Sequence, residues 1–279
     1  MQTSKLFVVI PTYNRKQVTV DCIERLTAGT YKEFQIIVCD SGSSDGTSIA
    51  LASYPSVSVL DVGSEKWWTG AVNEGVNFAI NAGAEKVVVM NDDIFFSETL
   101  LADLLYKGLR FPNTIISPLQ ISNTGAFVGF RFSGIFKKSE IIYKNANTPV
   151  DNYVDISNGC CLLIPVAAFK KVGIFNSRMC PHYAGDTEFQ LRATNNGFKT
   201  LATTDIIIEQ GIATNTFPKL QLTNIFSSYI SPVHINSYLA FGNSLFMGKW
   251  KFLFLGFRHH YTFLKTCLLT IIKIFKGSN

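Results

Sequence analysis

The sequence predicts an α/β protein with a mostly parallel central sheet flanked by helices, followed by a C-terminal helical, amphipathic extension. Three observations predict it. Short Val- and Ile-rich runs alternate with helical patterns through the first hundred residues, a polar cluster follows each run, and the stretch from Gln210 to Asn279 contains no Asp or Glu. Strand and helix alternating at this rhythm make βαβ units, hence parallel strands with right-handed crossovers. Ligands of such sheets bind beyond the carboxyl ends of the strands.

Residues 5–10 (KLFVVI), 34–39 (FQIIVC), 57–62 (VSVLDV) and 86–90 (KVVVM) read as buried strands, each rich in β-branched residues and bounded by turn or polar residues. Helical stretches lie between them, near 16–29, 45–53 and 69–82. From about 113 to 166 the pattern turns to short β-like segments, SNGCCLLIPV (157–166) among them, and a helix follows near 185–197. With no linker, repeat or low-complexity stretch, the chain divides into a domain over 1–215 and a C-terminal segment over 216–279.

Composition agrees with a folded body. The 279 residues are 47% hydrophobic and 16% charged, with 23 Phe and 10 Tyr to fill a core, which excludes long disordered stretches. Six cysteines form no C-x-x-C pair, so buried free thiols are expected rather than a zinc site or disulfides. The apolar run Leu6 to Ile10 is too short for a signal-peptide core, and a reducing, cytoplasmic setting is expected.

Polar residues gather just after each strand. The first runs into PTYNR (11–15), the second into DSGSSDGT (40–47), the third into GSEKWWTGAVNEG (63–75) and the fourth into Asn91-Asp92-Asp93. Adjacent carboxylates on a stiff strand end suit Mg²⁺ or Mn²⁺, which keep positions open for phosphate oxygens, although a solvated turn has the same composition. Asp40 can accept from the imide of a pyrimidine ring, and the small residues after it allow close approach to a nucleotide. Asp45 either shares that role or caps the next helix. Trp67 and Trp68 are read as one stacking and one core residue. Asp186 opens the helix in HYAGDTEFQLRATNNGF (182–198), where a carboxylate is comfortable in the first turn and can serve as a general base. Glu188, two residues on, is turned to another face.

Taken in order, PTYNR, DSGSSDGT, WWTGAVNEG, MNDDIFF, SNGCCLLIPVAAFKKVGIF and AGDTEFQLRATNNGF resemble the family 2 glycosyltransferases of GT-A fold, particularly the branch of bacterial rhamnosyl- and galactofuranosyltransferases. The resemblance covers roughly residues 5–210. It implies inverting transfer of a sugar from a nucleotide-diphosphate donor, a UDP- or dTDP-sugar, to a hydroxyl of a glycan or lipid-linked glycan in cell-surface polysaccharide synthesis. On that reading Pro11, Thr12, Tyr13 and Asp40 lie against the nucleoside, with Trp68, Asn73, Asn91 and Asp92 also contacting the donor. Asp93 carries the divalent metal, Mn²⁺ or Mg²⁺. Asp186 is the base, and Glu188 and His182 face the acceptor. The sequence departs from the family at Asn91, where D-x-D begins with Asp, and at IIIEQGIAT (206–214), which offers Glu209 and Gln210 where relatives often carry a metal-binding His, with Glu209 able to ligate in its place.

The formal charge of +5 is unevenly spread. Lys219, Lys249, Lys251, Arg258, Lys265, Lys273 and Lys276 lie in the acid-free tail, leaving 18 Lys and Arg against 20 Asp and Glu in the rest. YTFLKTCLLTIIKIF (261–275) is interrupted by two Lys and falls short of the roughly 20 residues that span a bilayer. As a helix it sets Arg258, Lys265 and Lys276 within about 20° of one another and groups Leu264, Leu268, Ile271 and Phe275 away from them. A basic, aromatic, amphipathic segment of this kind suits an anionic membrane surface, so a peripheral place on the inner face of the cell membrane is expected. No nucleic-acid motif accompanies the charge. Two alternatives remain at this stage: a non-catalytic nucleotide-sugar or glycan-binding subunit, which has no need of Asp40, Asp93 and Asp186 together, and a nucleotidyltransferase, which needs a Gly- and Lys-rich loop after the first strand.

Overall fold

The computed structural model describes residues 5–123, 125–133 and 138–210; the segment read as an interfacial helix, and the boundary at 215, lie outside the described residues. Strands β1 (Leu6–Thr12), β2 (Phe34–Asp40), β3 (Val57–Asp61) and β4 (Lys86–Met90) form at the four β-branched runs. All four are parallel, in the order β3-β2-β1-β4. Helices α1 (Lys16–Ala28), α2 (Thr47–Leu51) and α3 (Trp67–Asn81) make the crossovers. The helix expected over 45–53 is shorter because Gly46, at φ +85°, starts it late.

The second half is a mixed continuation of the same sheet. It comprises β5 (Ile94–Phe96), α4 (Leu100–Arg110), β6 (Thr114–Ser122), β7 (Gly125–Ser133), β8 (Lys138–Tyr143), β9 (Asp151–Val154), β10 (Cys161–Pro165), α5 (Val166–Val172), α6 (Gly185–Asn195) and β11 (Lys199–Gln210). The order continues β4-β10-β6-β11-β5, with β7 on β6, β8 on β7 and β9 on β11. Strand β10 runs antiparallel between β4 and β6, whereas β11 is parallel to β6. Sequence reasoning did not anticipate β5 or β11. The Thr- and Ile-rich run KTLATTDIIIEQ carried the signal for β11.

This topology delivers separate chain segments to one edge. Cys161 at the start of β10 pairs with Met90 at the end of β4, so the Asn158–Cys160 turn lies beside Asn91. The amide of Asn91 donates to the Cys160 carbonyl at 2.9 Å. Because β11 runs parallel to β6, and β6 is antiparallel to β10, Gln210 reaches that same edge.

Side-chain alternation in β1 divides the core. Leu6, Val8 and Ile10 point to the layer packed under α1 and α4, while Phe7 and Val9 point to the layer under α3, α5 and α6. Phe189 of α6 meets Phe175 at 4.7 Å and Phe169 at 5.0 Å between ring centroids, which anchors the helix on the sheet. Helix α3 approaches so closely that a Cβ at Gly75 would lie 2.5 Å from Val9 and 2.6 Å from Cys39. Among the described residues Cys22, Cys39, Cys161 and Cys180 are buried and Cys160 is half-buried. Among the described residues no helix is long and apolar enough to cross a membrane.

Candidate active site

Two adjoining cavities open at the carboxyl edge of β1 and β4. The smaller, about 340 Å³, is walled by Asn91, Asp92, Asp93, Gly159, Cys160, Tyr183, Asp186 and Gln210. The larger, about 620 Å³, is walled by Thr12, Tyr13, Ser41, Ser64, Glu65 and Trp67. Pro11, Arg15, Trp68 and His182 line both, so they stand where the two meet. A volume of this order suits a small-molecule ligand.

The carboxylate pair after β4 is held by α1. Asp92 is buried, and its Oδ2 accepts from Thr19 Oγ1 at 2.9 Å and from Thr12 Oγ1 at 3.4 Å. Its Oδ1 lies 3.2 Å from one terminal nitrogen of Arg15, whose other terminal nitrogen lies 3.1 Å from Asp93 Oδ2. Burial raises the Asp92 pKa against the opposing pull of Arg15 and Thr19. Asp93 Oδ1 is buried without a hydrogen-bond partner.

Across the smaller cavity stands Asp186. Ala184, at φ +63°, caps α6, and Asp186 follows in the first turn. Burial raises its pKa; the amides of Thr187 and Asp186 itself pull the other way. The carboxylate packs flat against Gly159, where an added Cβ would lie 2.0 Å from Oδ2. That close approach is why SNGCC carries glycine at this position. His182 sits edge-on to Trp67 and to Tyr183, with ring centroids 6.0 and 4.6 Å away. Burial lowers its pKa, and its Nδ1 has no hydrogen-bond partner.

Of the residues singled out from sequence, Pro11, Thr12, Tyr13, Trp68, Asn91, Asp92, Asp93, His182 and Asp186 line the cleft. Trp68 donates its indole N–H to Asn91 Oδ1 at 3.0 Å and packs on Phe175, while Trp67 is 43% exposed, the division expected of the pair. Four residues are placed elsewhere. Asn73 is buried and exchanges two hydrogen bonds with the backbone of Phe175, so it clamps α3 to that loop rather than facing a donor. Glu188 is 3% exposed and gripped by Arg192, whose guanidinium also reaches the carbonyls of Val172 and Ile174; it braces α6 instead of facing an acceptor. Asp40 is buried, and its oxygens accept from the Ser43 amide and the Ser48 hydroxyl, which fixes the loop after β2 and leaves Ser41 at the cavity wall. Glu209 is exposed, because strand alternation turns Gln210 into the cavity and its neighbour away. Asp45 accepts from the amides of Lys16 and Thr47 and ties the same loop to α1.

Arg15, Gly159, Tyr183 and Gln210 also line the site; sequence reasoning gave the first three no role and noted Gln210 only beside Glu209, the residue it favoured as the ligand. For Arg15 the signal was present, since a cation directly after β1 faces the carboxylates directly after the adjacent strand β4.

A divalent cation fits this donor set in a limited way. The unpartnered oxygen of Asp93 is a hard oxygen donor at the cavity wall, while the amide oxygen of Gln210 beside it already accepts from Gln120 Nε2 at 2.7 Å. No cluster of three or more His, Cys, Asp or Glu side chains suited to a metal occurs among the described residues. An ion here would have one carboxylate, that of Asp93, and would need a ligand's phosphate oxygens to complete its shell.

The fold and site thus define a nucleotide-scale cleft at the switch from parallel to antiparallel strands, with opposed carboxylates. Residues 7–173 match the profile of Glycosyl transferase family 2, and the chain belongs to that family. An uncharacterized glycosyltransferase of Rickettsia typhi is 28% identical over 187 residues, covering 62% of this chain and 54% of the relative. The dTDP-rhamnosyl transferase RfbF of Shigella flexneri is 22% identical over 198 residues, covering 70% of this chain and 64% of the relative. The chain therefore spans about half the length of the first of these relatives. Among solved structures, GalNAc-T7 with UDP, GalNAc and Mn²⁺ superposes with a TM-score of 0.66 at 12% identity, over 85% of this chain and 48% of that one. The fold is GT-A, as the motifs imply.

Proposed function

We propose that the protein is an inverting glycosyltransferase that moves a sugar from a UDP- or dTDP-sugar to a hydroxyl of a glycan or lipid-linked glycan in cell-surface polysaccharide synthesis. The observation that carries this reading is the pairing of an aromatic-walled cavity of about 620 Å³ with a smaller one in which Asp186 faces the Asp92–Asp93 pair. The dTDP-rhamnosyl relative and the UDP-bound neighbour support the choice of donor.

Each wall has a task in such a transfer. The larger cavity takes the nucleoside between Tyr13, Trp67 and Ser41. The smaller takes the sugar, with Asn91 fixed by Trp68 and held against it. Asp186, made more basic by burial, accepts the proton of the acceptor hydroxyl as that oxygen bonds to the anomeric carbon. The bond from that carbon to the donor oxygen breaks on the opposite face, and the pair of electrons leaves with the nucleoside diphosphate. A divalent cation on Asp93 would neutralise charge on the leaving diphosphate. His182, held neutral by burial, and Tyr183 stand where an acceptor enters.

The acid-free tail of residues 216–279 supports a further part of the reading: residues 1–215 form the catalytic domain, cytoplasmic and peripheral on the inner membrane face, and the tail lies on the anionic surface. Thermal shift with Mn²⁺ against uridine, thymidine and guanosine diphosphate sugars tests the central claim. Uridine or thymidine diphosphate sugars should raise Tm. No shift with any of the three would refute it.

A further inference from the structure

The geometry points to Arg15 as the diphosphate ligand of this cleft, kept on the Asp92–Asp93 pair until a donor arrives and then exchanged for the divalent cation at Asp93. The inference rests on the glycosyltransferase reading, and four observations carry it. Arg15 is the sole Lys or Arg lining either cavity among the described residues, while Glu65, Asp92, Asp93 and Asp186 line them with negative charge. Among the described residues, a diphosphate entering such a cleft meets one cationic side chain. Arg15 stands at the junction of the two cavities, which is where the linker between a nucleoside in one and a sugar in the other must pass. Its guanidinium is spread over two carboxylates, 3.2 Å from Asp92 and 3.1 Å from Asp93, and the side chain remains 29% exposed. Its backbone, by contrast, is pinned, since the Arg15 carbonyl accepts from the Thr19 amide at 2.9 Å.

A pinned backbone with a long, half-buried side chain allows the guanidinium to swing without moving α1. Asp92 keeps the hydroxyls of Thr12 and Thr19 on its other oxygen in that exchange. Asp93 has no such substitute: its Oδ1 is already unpartnered, and departure of Arg15 frees Oδ2 as well. The carboxylate is then open to a divalent cation at the moment the diphosphate claims the guanidinium. Arg15 thereby couples metal binding to donor binding and keeps a bare cation weakly held in the empty cleft. Bidentate pairing with phosphate is the geometry that an arginine fork provides and a lysine does not.

The test measures Mn²⁺ binding alone, and uridine and thymidine diphosphate binding with Mn²⁺, by calorimetry on the full chain. Arg15→Gln should bind Mn²⁺ alone about tenfold more tightly than wild type, since a competing positive charge leaves Asp93. It should bind the nucleoside diphosphates about ten- to a hundredfold more weakly. In an Asp93→Asn background the same substitution should leave Mn²⁺ binding unchanged. Unaltered Mn²⁺ affinity in Arg15→Gln, or unaltered diphosphate affinity, overturns the proposal and leaves the glycosyltransferase reading intact. Failure of the wild type to bind either nucleotide overturns both. If Arg15→Gln does not fold, Arg15→Lys replaces it: Mn²⁺ affinity then rises and diphosphate affinity falls by smaller factors, and no change in either sinks the idea.

Discussion

Asp186 joins two properties that pull apart in a variant. Burial raises its pKa, so the folded protein holds the proton more tightly than the unfolded chain does. Folding stability therefore falls as pH rises from the unfolded value through the raised folded one, and the ionised carboxylate is a standing cost at neutral pH. Asp186→Asn should remove that cost, giving a Tm at pH 7 equal to or above wild type, while transfer falls by about 10² or more. Calorimetric melting and a transfer assay check the two halves, and retained turnover would remove Asp186 as the base. In the wild type the base must be ionised to act. The acid limb of kcat/KM should accordingly lie above the usual carboxylate range, and rate should be lost as pH falls through it.

Helix α6 carries Asp186, the base of the proposed transfer, and what holds the helix is a different acid. Buried Glu188 and half-buried Arg192 pair one turn apart, and Arg192 extends the grip to the carbonyl of Val172, the last residue of α5, and to that of Ile174 beyond it. Glu188→Ala leaves a half-buried guanidinium without its counter-charge and should cost about 2 kcal/mol. Denaturant melts check the loss, with acceptor KM unchanged in the folded fraction; a raised KM with normal stability would restore Glu188 to the acceptor site. At this scale the sequence was partly legible. The β-branched runs announced β1 to β4 and the strand-end clusters announced the cleft, because burial on both faces and ligand contact each leave a compositional mark. Asn73 and Glu188 lacked such a mark. A polar residue that braces a loop and one that touches a ligand are the same letters, and Phe175 lies 102 positions from Asn73.

For the whole molecule, charge separates a slightly acidic body from a tail of seven cations. Deleting residues 246–279 should release the protein from anionic liposomes and have less effect on neutral ones. Undiminished co-sedimentation would count against a membrane role for the tail. The cleft itself illustrates how distant segments converge. Gly159, Asp186 and Gln210 reach the Asn91–Asp93 edge because β10 runs back beside β4 and β11 returns parallel to β6.

By itself the sequence determined the parallel half of the sheet, the family through its ordered motifs, and about half of the residues lining the cleft. These follow from local periodicity and from the rule that polar residues after buried strands face a ligand. Only the tertiary structure decided which acids are free to act. Asp40 and Glu188 are consumed by the scaffold, Glu209 is turned away by one step of strand alternation, and Arg15 is brought onto the Asp92–Asp93 pair across 77 and 78 positions of chain. The reason is physical: a carboxylate's role depends on which cations and donors lie within about 3 Å of it, and long-range pairing of strands sets those neighbours.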